Sequence, residues 1–192
     1  MHRLLETDLL LRLLQPADAG KLGDYFDTLS ARSKSRFQPH PLTRKQAAAV
    51  CASDGVETVR LVIEHSRAII GYFILEPRVS VHEVARYREH GIMLQPGLDF
   101  MFAPSMGDAF QNRGIASSAM PHVIDLARGR GARSLVLMGG TQATNARAIA
   151  FYEKFGFRRF GGYQTEVFNH DMRLVLDRLP VSRVGGVTAG PG

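Results

Sequence analysis

The 192-residue chain has one cysteine, no tryptophan and no apolar run long enough to cross a bilayer. A single Cys51 cannot form an internal disulfide, which argues against a disulfide-stapled secreted domain and fits a cytoplasmic location. The N-terminus lacks the order of charged, apolar and small residues that marks a signal peptide. No membrane partner is therefore expected. No Gly-x-Gly-x-x-Gly occurs, which disfavours a dinucleotide fold, and no Gly-Lys-Ser/Thr is present, which disfavours the usual nucleotide P-loop. His82 and His90 have neither the spacing nor the partner cysteines of a zinc site, so no metal is expected.

What remains is an ordinary globular composition, 45% hydrophobic and 22% charged. It reads as a single domain over residues 1–180. Val181 to Gly192, rich in Gly and small residues and without periodicity, reads as a flexible tail. The net charge of +6 is carried by scattered arginines. They form no basic stripe with interleaved aromatics, so a nucleic-acid partner is not expected and an anionic ligand fits better.

The densest signal lies between Leu98 and Phe157. An apolar run, Leu98–Phe102, is followed by Gln111-Asn112-Arg113-Gly114-Ile115-Ala116 and then by a helical pattern from Ile115 to Arg130. A second apolar run, Leu135–Met138, precedes a second helix that begins near Asn145 and ends at Gly156. Strand, glycine turn, helix, strand and helix make a βαβα unit. A turn that opens a helix presents unpaired N–H groups and the positive end of a dipole, which favour an anion. Arg113 adds a full charge, and Gly114 lets a ligand approach the backbone.

The pairing of Gln111–Ala116 with Asn145…Phe151-Tyr152…Phe155-Gly156-Phe157 resembles the GNAT family of N-acetyltransferases. The resemblance implies an α/β (α+β) fold, with a mixed, twisted sheet of about six to seven strands flanked by helices. Its central strands splay to form an acyl-CoA cleft. It also implies acetyl-CoA as cosubstrate, with the pyrophosphate on Gln111, Asn112, Arg113, Gly114, Ile115 and Ala116. The pantetheine arm would run along Asn145, Ala148 and Phe151, and along the backbone of Phe102 and Ala103. Tyr152 takes the part of general acid to the leaving thiolate. Asp99, on the central strand, is the first choice for general base, against a purely structural aspartate. Asn145 has a second reading as a plain helix cap.

The rest of the chain fits around this unit. Leu9–Leu14 reads as a strand covered on both faces, and Pro16–Leu29 as a helix. Thr43-Arg-Lys-Gln46 is a capping-box pattern that starts a short helix. Phe37 and His40, in the polar stretch before it, are either loop packing or acceptor contacts. Thr58–Glu64 and Ala68–Leu75 read as a hairpin, with Gly71 marking a bulge or a close approach. Glu76 to Gly97 is a long connection with a helix from Val81 to His90. Pro121 should bend the long helix near Ser117. Thr165–Phe168 and Asp171–Leu176 read as closing strands joined by a turn at Asn169-His170. The function implied is acetyl transfer to a primary amine of a small molecule or protein by direct attack. A non-catalytic acyl-CoA-binding regulator on the same fold is the first alternative and a basic nucleic-acid-binding module the second, and a homodimer is left open.

Overall fold

The structure, a computed structural model, describes residues 2–4, 8–53 and 57–176. The expected C-terminal tail and the boundary at residue 180 lie outside them. Among the described residues, the strands are β1 (His2–Leu4), β2 (Leu9–Leu13), β3 (Val59–His65), β4 (Ala68–Glu76), β5 (Asp99–Met106), β6 (Ser134–Leu137), β7 (Thr141–Gln142), β8 (Arg158–Gln164) and β9 (Phe168–Val175). They form one mixed sheet in the order β1-β2-β3-β4-β5-β6-β9-β7, with β8 paired to β9. The sheet exceeds the expected six to seven strands because the short β1 and β7 extend it at the two ends. The helices are α1 (Ala19–Thr28), α2 (Ala31–Lys34), α3 (Arg44–Ala52), α4 (Val81–Glu89), α5 (Ile115–Gly129) and α6 (Ala146–Lys154).

The sheet is covered on both faces, and strand alternation shows how. In β4, Ile70, Phe73 and Leu75 join the core beneath α5, while Ile69, Tyr72 and Ile74 join the core beneath α1 and α3. Ile115, Ala119, Val123 and Ala127 of α5 are all buried in the first core, as their shared helical face predicts. α5 runs through Pro121 without interruption, and that proline lies on the exposed face. The helix of the long connection, α4, packs on a third cluster built from Tyr87, Leu94, Met101 and Val136. Tyr87 donates to the Met172 carbonyl at 2.9 Å. The connection is therefore a cover for the far half of the sheet.

Several local expectations are corrected. β2 is covered mainly on one face: Leu9 and Leu11 are buried, whereas Leu10 and Arg12, on the other face, are half-buried. Pro16–Asp18 is a separate 3₁₀ turn before α1. The closing turn lies at residues 165–167, and Asn169-His170 sits inside β9. Asn169 acts as the turn's brace, donating to Thr165 Oγ1 and to the Val167 carbonyl. The β3–β4 hairpin is as expected, with Ser66 and Arg67 both at positive φ, the conformation that a tight two-residue hairpin demands. Its register shifts between Ile63 and Glu64, opposite Gly71, whose face is filled by Met106.

The feature that positions the site is where β5 and β6 part. They pair in parallel from Asp99↔Ser134 to Phe102↔Leu137, and Met138 N–H donates to the Phe102 carbonyl at 3.0 Å. β6 then ends, while β5 stays paired to β4 as far as Met106. Ala103 to Met106 therefore lack a partner on the β6 side. Pro104, which has no N–H, sits within that stretch. The opening comes from the early end of β6, with no bulge in β5.

Candidate active site

Two cavities meet at the mouth of this opening. The larger, about 390 Å³, lies between the β5 end, the turn into α5 and the first turns of α6. The smaller, about 120 Å³, lies on the other side of Tyr152, beneath the segment that follows α2. Pro104, Ser105, Met106, Gln111, Arg147, Ala148 and Tyr152 border both. Among the described residues, no Asp, Glu or His lines either cavity.

The turn into α5 is built for an anion. Asn112 and Gly114 adopt φ of +60° and +76°. This left-handed pair turns the chain so that α5 begins at Ile115 with its first turn facing the larger cavity. Among the described residues, the amides from Asn112 to Ser117 donate to no backbone or side-chain acceptor; the first amide bonded back is Ser118, to the Gly114 carbonyl at 2.9 Å. A run of unpaired N–H groups at the positive end of a 15-residue helix is a ready anion cradle. Arg113, Arg147 and Lys154 border the same space. The Gln111 side chain is already used. It donates to the Met106 carbonyl at 2.9 Å and to Asp108 at 3.1 Å, so Gln111 braces the turn.

The α6 side supplies the second wall. Asn145 caps the helix by accepting from Ala148 N–H at 3.4 Å, and it also borders the smaller cavity. Ala148 and Phe151 border the larger one. Tyr152 is held between Phe151 and Phe157, with ring centroids 5.3 Å away on each side, and Phe157 in turn stacks on Phe102 at 6.3 Å. Burial pushes the Tyr152 phenol well above its usual value, so the hydroxyl stays protonated across the physiological range.

Three expected residues are not brought to the cavities. Phe102 and Ala103 are buried in the two cores, and the exposed stretch of β5 begins two residues later, at Pro104. Asp99 lies at the opposite end of β5, fully buried. It accepts from Arg133 Nη2 at 2.7 Å, from Arg173 Nη2 at 3.1 Å, from Gln95 N–H at 2.7 Å and from Ser134 Oγ at 2.5 Å. Burial alone would raise the Asp99 carboxyl. The bonds from Arg133 and Ser134 outweigh it and hold the group below the usual carboxylate range. A low-pKa carboxylate with every lone pair engaged, remote from the cavity, cannot take a proton there. Alternation along β5 identified the face of Asp99 but not its distance from the opening.

The structure also adds residues. The segment 33–38 closes the smaller cavity, with Arg36 and Phe37 in its lining. Gln142 Nε2 donates to the Ser35 carbonyl at 3.2 Å, and Gln38 packs against Gly139. Gly140, at φ +68°, completes the seam, since any Cβ there would sit 2.7 Å from the His170 carbonyl oxygen. Asp108 ties the two walls together by accepting from Ser30 N–H at 2.7 Å and from the Ser33 hydroxyl. His40 does not reach either cavity; it bonds to the Tyr72 hydroxyl at 3.2 Å and the Pro41 carbonyl at 3.0 Å. His82 and His90 are exposed on α4 and just beyond it, and Glu83 is buried against Ser80 and Arg86.

Comparison with known proteins agrees with this geometry. The family model described as Acetyltransferase (GNAT) family matches residues 25–157. The fold is similar to that of the GNAT domain of S. lividans PAT, with a TM-score of 0.69 and 22% identity over 86% of this chain and 89% of that one. It is similar to yncA, a putative acetyltransferase from Salmonella typhimurium solved with acetyl-CoA, with a TM-score of 0.68 and 16% identity over 93% and 100% of the two chains. It is also similar to the ribosomal-protein-S18-alanine N-acetyltransferase from Escherichia coli, with a TM-score of 0.60 and 18% identity over 91% and 97%. No curated protein matches it in sequence. A family match that spans more than half of the chain, on a fold that splays at β5 and β6 above an anion cradle, makes this chain a member of the GNAT acetyltransferase family.

Proposed function

We propose that the protein transfers an acetyl group from acetyl-CoA to a primary amine by direct attack, with Tyr152 as the proton donor. The observation that carries this reading is the position of Tyr152, which borders both cavities at their junction. The larger cavity fits the donor: among the described residues it offers unpaired amides from Asn112 to Ser117 and three cationic side chains with no opposing carboxylate. Those amides and Arg113 would hold the pyrophosphate, and Pro104, Ala148 and Phe151 would flank the pantetheine arm. The cosubstrate supplies an acyl carbon activated as a thioester.

The protein's own groups then have two tasks. The Tyr152 hydroxyl holds a proton where the leaving sulfur gains one. The cavity also governs the amine. Arg36 and Arg147 border the acceptor side, and positive neighbours disfavour an ammonium. The amine is thus held in its neutral, nucleophilic form without a side-chain base, and its surplus proton leaves through water or returns to Tyr152. Asp99 has no part in this scheme.

The test is calorimetric titration with acetyl-CoA, followed in the same sample by thiol release with and without a panel of primary amines. Saturable binding with amine-dependent release is the expected result. Absence of binding to acetyl-CoA and to longer acyl-CoAs overturns the reading.

A further inference from the structure

The smaller cavity has a charge pattern that an unspecified amine does not explain. Arg36 and Arg147 both border it, and among the described residues no acidic side chain does. Among the described residues, neither guanidinium makes an ion pair or a side-chain hydrogen bond. Elsewhere on this protein arginines are paired readily: Arg12, Arg44, Arg86, Arg133 and Arg173 all meet carboxylates. Arg36 is half-buried. Burial and the like charges of Arg32 and Arg147 act together to depress its basicity. The first turn of α6 points its positive end into the same space, since Asn145, Arg147 and Ala148 all line it. Ser33, Thr141 and Gln142 add neutral polar groups.

Two planar forks and a helix start converging on a small polar cavity call for an oxyanion. A lone alkylammonium meets repulsion there. A small amine that also carries an anionic group is attracted by that group, while its nitrogen is driven toward the neutral form beside Tyr152. We infer that the acceptor is a small amine bearing an oxyanion, carboxylate or phosphate, a few atoms from its nitrogen, held by Arg36 and Arg147. This rests on the acyltransferase reading, but the anion-binding part of it can be measured separately. Arg147 also borders the larger cavity and Arg36 does not, so Arg36 is the residue that separates acceptor recognition from donor binding.

The experiment uses matched probes: the free α-amino acids and β-alanine, the corresponding amino-acid amides, and phosphoethanolamine against ethanolamine. Thiol release from acetyl-CoA and thermal melting, the latter with and without acetyl-CoA, are measured for the wild type, Arg36→Ala and Arg36→Lys. The expected result is a preference of roughly ten- to hundred-fold for an oxyanion-bearing amine over its neutral match. In Arg36→Ala that preference collapses while the Kd for acetyl-CoA holds, and Arg36→Lys, which keeps the charge but loses the fork, falls between. The carboxylate and phosphate arms tell which oxyanion is read. Equal rates for acids and amides overturn the inference, as does the absence of any Arg36-dependent melting shift with the whole panel. An Arg36-dependent shift by the acids in a protein that does not bind acetyl-CoA upholds the anion site and overturns the acyltransferase reading alone.

Discussion

The two ends of β5 hold charge in opposite ways. At its start, Asp99 is sealed from solvent and meets Arg133, Arg173, Ser134 and the Gln95 amide, so each partner is satisfied. At its end, about 23 Å away at 3.3 Å per residue, Arg36, Arg113, Arg147 and Lys154 surround open space with no carboxylate among the described lining residues. Buried charge that is fully paired holds a fold together, and removing one partner leaves the others stranded. Charge that borders a cavity without a partner awaits a ligand. The contrast sorts residues better than residue type does, since an aspartate on a central strand looks equally fit for either task.

The comparison can be broken in four places, from the largest effect to the smallest. Tyr152→Phe keeps the ring between Phe151 and Phe157 and removes only the hydroxyl; kcat should fall by about 10²–10⁴ with the Kd for acetyl-CoA unchanged. Undiminished turnover removes the tyrosine from the chemistry. Asp99→Asn strands Arg133 and Arg173 and should cost ~3–5 kcal/mol of stability in denaturant melts, while kcat of the folded fraction holds. This effect has a defined pH course. The folded-state pKa of Asp99 lies below its unfolded value of about 3.9. Its stabilisation is therefore present above that value and is lost as pH falls through the folded pKa. The gap between the two proteins should be full at neutral pH and narrow progressively as pH falls below about 3.9; a gap that stays constant or widens as pH falls through that range would falsify the ion-network account.

The third break is Gly114→Ala. No atom crowds the position, but φ is +76°, so the cost is backbone strain. Stability should drop by ~1–2 kcal/mol, and the Kd for acetyl-CoA should rise about tenfold as the cradle loses its shape. The smallest effect belongs to Arg113→Ala. Arg113 is exposed, so the KM for acetyl-CoA should rise only about two- to five-fold, and the difference should shrink in high salt. A salt-independent change of similar size points to lost packing on Phe110, over which the guanidinium lies at 5.7 Å.

Much of this was legible along the chain. The helix starts at Thr43 and Asn145 each make the expected cap. The Gln111–Ala116 turn and the α6 aromatic set belong to contiguous stretches, so the spacing of their residues is itself the geometry. The differences in placement have a common cause. Phe102 and Ala103 lie just short of the cavity lining because the opening begins where β6 stops, at Leu137, a strand about 35 residues further along the chain. Asp99 is tied into the sheet by Arg133, just before β6, and by Arg173 within β9, partners that no pattern local to β5 reveals. Arg36 carried no signal at all, since its relation to Arg147 exists only after α2 has been folded onto the β6–β7 turn.

Local chemistry alone determined the elements, the anion-attracting start of α5 and the tyrosine on α6, because periodicity, caps and left-handed turns depend on near neighbours in the chain. The tertiary structure decided which charges are spent and which are free. Pairing depends on side chains brought together from distant segments: a partner in space turned Asp99 into a structural anchor, and the lack of one left Arg36 and Arg147 facing an open cavity.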